Sequence, residues 1–152
     1  MSTPMTFNYT SQINGNQCTA KTYVGTLGED GTVTYPETVD EYVTSVDKVS
    51  RNAGDVLYFK TLIQNASADV DTNVSLLIDV NCDTALDGNF SIGTTVPVLK
   101  EITYNSTNED KCIPVVSQYE IKKAHEAVAI EWYVKIDASG SFGIDGFALA
   151  NN

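Results

Sequence analysis

Alternation of apolar and polar residues predicts a half-buried β-strand over residues 57–64. Phe59 and Ile63 lie on one face of an extended chain there, because successive side chains of a strand point to opposite sides of a sheet. Tyr58 and Lys60 lie on the other face, which we expect to meet solvent. This strand, a short polar loop and a second half-buried strand over residues 73–80 have the order typical of an antiparallel β-sandwich.

The most regular alternation spans residues 128–136. Trp132 occupies the middle of its apolar face, so we expect this ring near the centre of the core. Burying each large apolar side chain is worth roughly 1.5–3 kcal/mol, so this strand is a principal source of stability. The apolar face consists of Val128, Ile130, Trp132, Val134 and Ile136.

Turn residues divide the rest of the chain into further short strands. The first three, over residues 5–13, 17–27 and 32–35, are predicted to form a meander that precedes the sandwich. Later strands are predicted over residues 96–104, 115–121 and 143–149, and the second of these is expected to pair with residues 128–136 across a turn at 122–126. Loops are predicted over residues 83–93 and 105–111.

Residues 39–49 are compatible with two structures. Val39, Tyr42 and Val46 have helical spacing, and Thr38 with Glu41 has the spacing of a capping box. The valine and threonine content favours a strand, which is our prediction.

The length of 152 residues suits one domain with a substantial core. The predicted fold is all-β, with an N-terminal arm over residues 1–36 packed on, or exchanged from, a sandwich over residues 37–152. Twenty acidic against nine basic residues give a net charge of −11, which would repel nucleic acid. The sequence contains neither a membrane-length apolar segment nor a classical signal peptide at its start.

One acidic segment has spacing related to that of calcium loops. Asp79, Asn81, Asp83 and Asp87 place oxygen ligands at alternating positions, as a loop that wraps around a cation requires. The glycine and the bidentate glutamate of an EF-hand loop are missing. An Asx-rich turn is therefore the favoured interpretation, and calcium is the alternative.

The three cysteines leave the redox state open. Cys82 and Cys112 both fall near predicted strand ends, so a disulfide between them is a candidate. Cys18 would then be a small buried apolar residue. With one histidine and no CxxC motif, we expect no structural zinc site.

The acceptor motif Asn-x-Ser/Thr occurs five times. Glycosylation would require export, so structural roles for these asparagines are the competing interpretation. The candidates are Asn8, Asn65, Asn73, Asn89 and Asn105.

No constellation indicates catalysis. His125 lies in a charged turn without a neighbouring nucleophile, and we interpret it as a surface residue. We therefore expect a protein that is not an enzyme and needs no cofactor, with calcium as the only candidate.

Residues 46–137 resemble the immunoglobulin-like repeat domains of bacterial and archaeal surface proteins, including CARDB-type adhesion domains. The resemblance is carried by Lys48, the Gly54-Asp55 turn, Phe59, Asn65 and Asn73-Val74, with a late strand at 128–136. It implies an immunoglobulin-like sandwich used for spacing, adhesion or assembly. The first 36 residues and residues 82–111 depart from it.

The function expected from these observations is that of a structural subunit in a virion or cell-surface array. We expect it to form homo-oligomers or lattice contacts through its N-terminal strands. The alternative is a carbohydrate-binding or adhesion module that uses exposed aromatic rings. Its candidate rings are Tyr9, Tyr23, Tyr35, Tyr42, Tyr104, Tyr119 and Tyr133.

Overall fold

The computed structural model describes residues 6–7, 18–65, 71–86, 88–94, 111–122 and 127–151. No helix occurs in these ranges, so none there is long and apolar enough to cross a membrane. The strands are β1 (Thr6–Phe7), β2 (Cys18–Leu27), β3 (Val33–Thr34), β4 (Val46–Arg51), β5 (Val56–Asn65), β6 (Thr72–Cys82), β7 (Phe90–Thr94), β8 (Lys111–Ile121), β9 (Ala127–Ile136) and β10 (Gly140–Asn151).

The strands form two antiparallel sheets, here called sheet A and sheet B. In sheet A, β10 pairs with β6 along one side and with β4 and β1 along the other, and β8 lies beyond β6. The order in sheet B is β3, β2, β5, β9 and β7. The inner faces of the sheets share one apolar core, which confirms the predicted all-β sandwich.

The connections between strands are those of a jelly roll. From β4 to β10, each described strand lies in the opposite sheet to the one before it, and the pairs β6–β8, β5–β9 and β4–β10 are nested in the chain. Immunoglobulin-like domains instead pair some consecutive strands as hairpins within one sheet. That connectivity, expected from the sequence, is not found among these strands.

Three aromatic rings join the sheets at the centre of the core. Phe59 and Trp132 of sheet B stack with their centroids 4.4 Å apart. Phe147 of sheet A meets each of them edge-on at 6.2 Å. Trp132 is 2% exposed, so its predicted central position is confirmed.

Thr22, Thr61, Asn65 and Trp132 form hydrogen bonds inside this core. The Trp132 indole N–H donates to the Thr61 hydroxyl at 2.9 Å, and the Thr61 and Thr22 hydroxyls are also 2.9 Å apart. The Asn65 amide of β5 donates to the Ile121 carbonyl of β8 at 3.1 Å. This last bond ties sheet B directly to sheet A.

Several predicted strands are confirmed, while one prediction of burial is wrong. The predicted strands over residues 57–64, 128–136 and 143–149 correspond to β5, β9 and β10. Residues 73–80 lie within β6, but this strand is buried on both faces, since Ser75 and Leu77 on its outer side are fully buried. Alternation of apolar and polar residues does not reveal a strand that is buried on both faces.

The predicted hairpin between residues 115–121 and 128–136 is wrong. The first segment belongs to β8 and pairs with β6, whereas the second belongs to β9 and pairs with β5 and β7. Both segments bury apolar faces, and the same alternation fits either partner, so sequence adjacency was misleading. Of the predicted turn at 122–126, residues 123–126 lie outside the described residues.

The predicted N-terminal meander is also wrong in its first half. β1 joins β10 in sheet A, while β2 joins β5 in sheet B, so the two are not hairpin partners. The β2–β3 hairpin is confirmed by the pairing of Leu27 with Val33. Because β2 supplies the buried residues Cys18 and Ala20, it is an integral strand rather than a detachable arm.

The predicted strand over residues 39–49 is confirmed only from Val46. Val43 forms an isolated bridge with Thr22, and the Thr38–Glu41 segment forms a turn rather than a helix. The predicted loop over 83–93 ends earlier, since β7 begins at Phe90. The predicted strand at 96–104 and most of the loop at 105–111 lie outside the described residues, and Lys111 begins β8.

Candidate functional site

The acidic segment after β6 forms an Asx turn around Asp83. One carboxylate oxygen of Asp83 accepts the backbone N–H of Ser141 at 2.9 Å. The other accepts the backbone N–H groups of Ala85 and Leu86 at 3.1 and 3.3 Å. The carboxylate therefore joins the start of β10 to the loop, as the favoured interpretation expects.

The remaining calcium candidates are not gathered around Asp83. The Asn81 amide donates to the Asp145 carboxylate at 3.2 Å, and Asp79 lies opposite Gly146 on the outer side of sheet A. Over the ranges that the structure covers, no group of three histidine, cysteine, aspartate or glutamate side chains could hold a metal ion. Asp87 lies outside those ranges.

We expect the stabilising effect of Asp83 to disappear in acid. The Ser141 N–H, followed by those of Leu86 and Ala85 and by the charge of Lys48, holds the pKa of Asp83 below its ordinary value of 3.8. Since the folded pKa is depressed, the ionised carboxylate stabilises the fold above the unfolded pKa, and this effect is lost as the pH falls through the folded pKa.

Thermal melts of the native chain and of Asp83→Asn, followed by circular dichroism, test this expectation. The melting temperature of Asp83→Asn should lie below that of the native chain at neutral pH, and the gap should narrow once the pH falls below about 4. A gap of constant size between pH 7 and pH 3 would contradict the role assigned to this carboxylate.

The two cysteines proposed as a disulfide lie on neighbouring strands. Cys82 ends β6, and the register pairs Cys112 of β8 with Asp79, three positions away. Three strand positions span roughly 10 Å, whereas a disulfide requires Cα atoms about 4.4–6.8 Å apart. The disulfide stays a prediction, and it would require β8 to shift. Cys18 is fully buried, and burial raises the pKa of its thiol.

The five glycosylation candidates have different environments. Asn65 is fully buried and donates to Ile121, so it cannot accept a glycan in the folded protein, and this candidate was wrong. Asn73 and Asn89 are exposed and stay candidates. Asn8 and Asn105 lie outside the described residues, as does the one histidine, His125.

The tyrosines proposed as sugar-binding rings are divided among several places. Tyr23 is 4% exposed and donates its hydroxyl to the Val39 carbonyl at 3.0 Å. Tyr119 is half-buried against the core, and the Tyr42 ring lies 5.1 Å from the Lys21 ammonium. Tyr9 and Tyr104 lie outside the described residues. Tyr35 and Tyr133 remain, and both line one depression on the outer face of sheet B.

The outer face of sheet B carries a cross-strand row that begins and ends with glycine. Its order is Gly25, Tyr58, Tyr133 and Gly93, on β2, β5, β9 and β7. A Cβ atom at Gly93 would come within 2.3 Å of the Tyr133 ring, so this ring lies directly over the Gly93 backbone. At Gly25 a Cβ atom would come within 2.8 Å of the Tyr35 ring. The glycines therefore make room for the rings.

Charged side chains in the next row adjoin these rings. Lys60 and Glu131 face each other across β5 and β9, and the Lys60 ammonium lies 5.6 Å from the centroid of Tyr35. Tyr35 donates to the Phe59 carbonyl at 3.2 Å. We call Tyr35, Tyr58, Tyr133, Lys60 and Glu131 the tyrosine face.

The Tyr35 phenol stays protonated throughout the physiological pH range. Burial, together with the charge and hydrogen bond of Glu131, raises the pKa of Tyr35 to about 12. The group therefore remains a neutral hydroxyl, whose proton is donated to the Phe59 carbonyl and whose oxygen can accept a further hydrogen bond.

Two depressions are lined in part by Tyr35. One has a volume of about 220 Å³ and is lined by Val33, Tyr35, Tyr58, Thr94, Glu131, Trp132 and Tyr133. The other has a volume of about 390 Å³ and is lined by Tyr23, Tyr35, Pro36, Glu37, Thr38, Val39, Lys60 and Leu62. The larger volume lies within the range of about 300–1,000 Å³ that is typical of small-molecule sites.

Part of the tyrosine face was predictable from the sequence. The alternation predicted that Tyr58 and Lys60 face outward, but Tyr58 was not among the candidate sugar-binding rings. The pairing of β5 with β9 brings Tyr58 beside Tyr133 and Lys60 beside Glu131. Matching outward positions of the two most regular strands would have indicated this juxtaposition.

Comparison of the chain with protein-family models, curated proteins and solved structures found no match. Membership of the immunoglobulin-like repeat family therefore stays a prediction. The nested strand order argues against it.

Proposed function

We propose that this protein is a non-enzymatic structural subunit of a larger particle or surface array, such as a virion decoration or surface protein or a surface fibre. Jelly rolls are the fold of many viral capsid and lectin domains, which supports this class by analogy. Its location would then be a virion or an extracellular surface. A net charge of −11 argues against nucleic acid as the partner.

The observation that carries the proposal is the pairing of β1 with β10. The described part of β1 places Thr6 opposite Leu149 and Phe7 opposite Ala148. They occupy the edge of sheet A, next to the part of β10 that pairs with β4. Because β1 pairs with β10 along an edge of the sheet, the same pairing can be supplied by β1 of a neighbouring copy.

Exchange of this strand would join subunits without remodelling the core. The β10 residues opposite β1 are buried in the sandwich, with Ala148 2% and Leu149 0% exposed. A copy that has given away its β1 therefore presents a backbone edge that favours capture of another strand. Repetition of this exchange would produce closed oligomers or an array.

Size-exclusion chromatography with light scattering tests the proposal. We compare the full chain with a chain lacking residues 1–7, from micromolar to millimolar concentration. The full chain should show a mass above that of the monomer that rises with concentration, and the shortened chain should stay monomeric. Removal of residues 1–35 is unsuitable, because it would delete the core strand β2.

Circular dichroism verifies that the shortened chain keeps the β-sheet spectrum of the full chain. The proposal of self-assembly is overturned if the full chain is monomeric over the whole range. It is equally overturned if both chains associate to the same degree, because β1 would then have no part in the contact.

A further inference from the structure

We propose that the tyrosine face binds a neutral oligosaccharide, with one pyranose ring seated on Tyr133. This site lies on the outer face of sheet B, whereas the proposed assembly contact is an edge of sheet A. The two activities therefore use different surfaces of the molecule.

Tyr133 has the position required of a stacking platform. Its ring covers Gly93 on the sheet side, and the residue as a whole is 39% exposed. The face of an aromatic ring carries partial negative charge, which attracts the C–H groups that project from the flat side of a pyranose. The backbone beneath the ring limits its movement, so little freedom is lost when a sugar stacks on it.

Polar groups around Tyr133 match the hydroxyl groups of a sugar. The Glu131 carboxylate, on the exposed surface beside the rings, accepts hydrogen bonds, and the Lys60 ammonium donates them. The protonated Tyr35 phenol lines the same depression as Tyr133. A ligand with many hydroxyls, each both donor and acceptor, fits this mixture of groups.

The charge and shape of the face narrow the ligand class. A protein of net charge −11 disfavours sialylated or sulfated sugars, so the ligand is expected to be uncharged. Depressions of about 220 and 390 Å³ share Tyr35 in their lining. Two depressions that share a lining residue accommodate adjacent sugar rings of an oligosaccharide.

Isothermal titration calorimetry on the full chain tests the site. The probes are maltohexaose, cellohexaose, laminarihexaose, xylohexaose, mannohexaose and chitohexaose, with sialyllactose as an acidic comparison and decaproline as an aromatic-binding peptide. At least one neutral hexasaccharide should bind, and Tyr133→Ala should weaken it by about tenfold or more. Tyr133→Phe should bind nearly as well as the native chain, because the ring is kept.

The matched control is Tyr42→Ala, which removes another half-buried tyrosine ring outside the tyrosine face and should leave affinity unchanged. Circular dichroism establishes that each variant is folded. The proposal is overturned if none of the six hexasaccharides binds, if Tyr133→Ala and Tyr42→Ala have equal effects, or if sialyllactose or decaproline binds in preference. These results are independent of the oligomeric state, so they leave the assembly proposal to its own test.

Discussion

Phe59→Ala should lower the free energy of unfolding by about 3–5 kcal/mol. Phe59 is fully buried and stacks on Trp132 at 4.4 Å, and its edge-on contact with Phe147 crosses from sheet B to sheet A. Truncation would leave a cavity where the two sheets meet and would remove both aromatic contacts. Urea denaturation followed by far-ultraviolet circular dichroism measures the loss.

The neighbouring residue is a matched control for this prediction. Tyr58 has the opposite orientation on β5 and is half-buried on the tyrosine face. Tyr58→Ala should cost roughly 1 kcal/mol, because water already reaches part of the ring. Equal losses for Phe59→Ala and Tyr58→Ala would contradict the assignment of inner and outer faces to β5.

Asn65→Ala should lower the free energy of unfolding by roughly 1–3 kcal/mol. The Asn65 amide donates to the Ile121 carbonyl at 3.1 Å, and both residues are fully buried. The variant would leave this carbonyl without its amide donor in the core and would remove a direct bond between the sheets. The same urea titration measures the effect.

Asn73→Ala is the control for this second prediction. Asn73 is exposed on β6 and lies opposite Glu120, so its replacement should change stability by no more than about 0.5 kcal/mol. Similar losses for the two variants would show that the Asn65–Ile121 bond does not join the sheets. The pair also separates the structural use of an asparagine from the glycosylation motif that both residues share.

The alternation of apolar and polar residues predicted strands well where one face packs in the core and the other meets solvent. The alternation around Phe59 and Trp132 gave the position and the buried face of β5 and β9. It could not give the partners of each strand, because every half-buried strand offers the same two-residue period. β8 is the clearest example. Its alternation is compatible with pairing to β9, but in the fold β8 pairs with β6.

Contacts between segments that are distant in the chain also determine which residues of the candidate sites lie close together. Asp83 has calcium-like spacing, but its carboxylate is used by the loop and by Ser141, which is 58 residues away in the chain. The tyrosine face depends on the register of four strands, which places Tyr133 between Tyr58 and Gly93. Sequence indicated outward tyrosines, and the fold determines which of them are neighbours.

Self-assembly and glycan binding are compatible functions for one surface subunit. An edge strand at sheet A would connect copies, while the outer face of sheet B would stay available for a glycan. The two functions use different residues. Variants of β1 should therefore affect assembly alone, and variants of Tyr133 should affect glycan binding alone.

Exchange of β1 is tested most directly by cysteine cross-linking between two different chains. Phe7 and Ala148 are opposite each other in the antiparallel pair, where Cα atoms are about 4.5–5.5 Å apart, a distance that a disulfide spans. One chain carries Phe7→Cys and the other Ala148→Cys, both in a background with Cys82→Ser and Cys112→Ser. Cys18 is kept because it is fully buried.

The two chains are refolded together, oxidised and run on a non-reducing gel. A covalent heterodimer is expected, since β1 of one copy would pair with β10 of another. Exchange of β1 would be contradicted by the absence of this heterodimer, combined with closure of a disulfide within single monomers when both substitutions are placed in one chain.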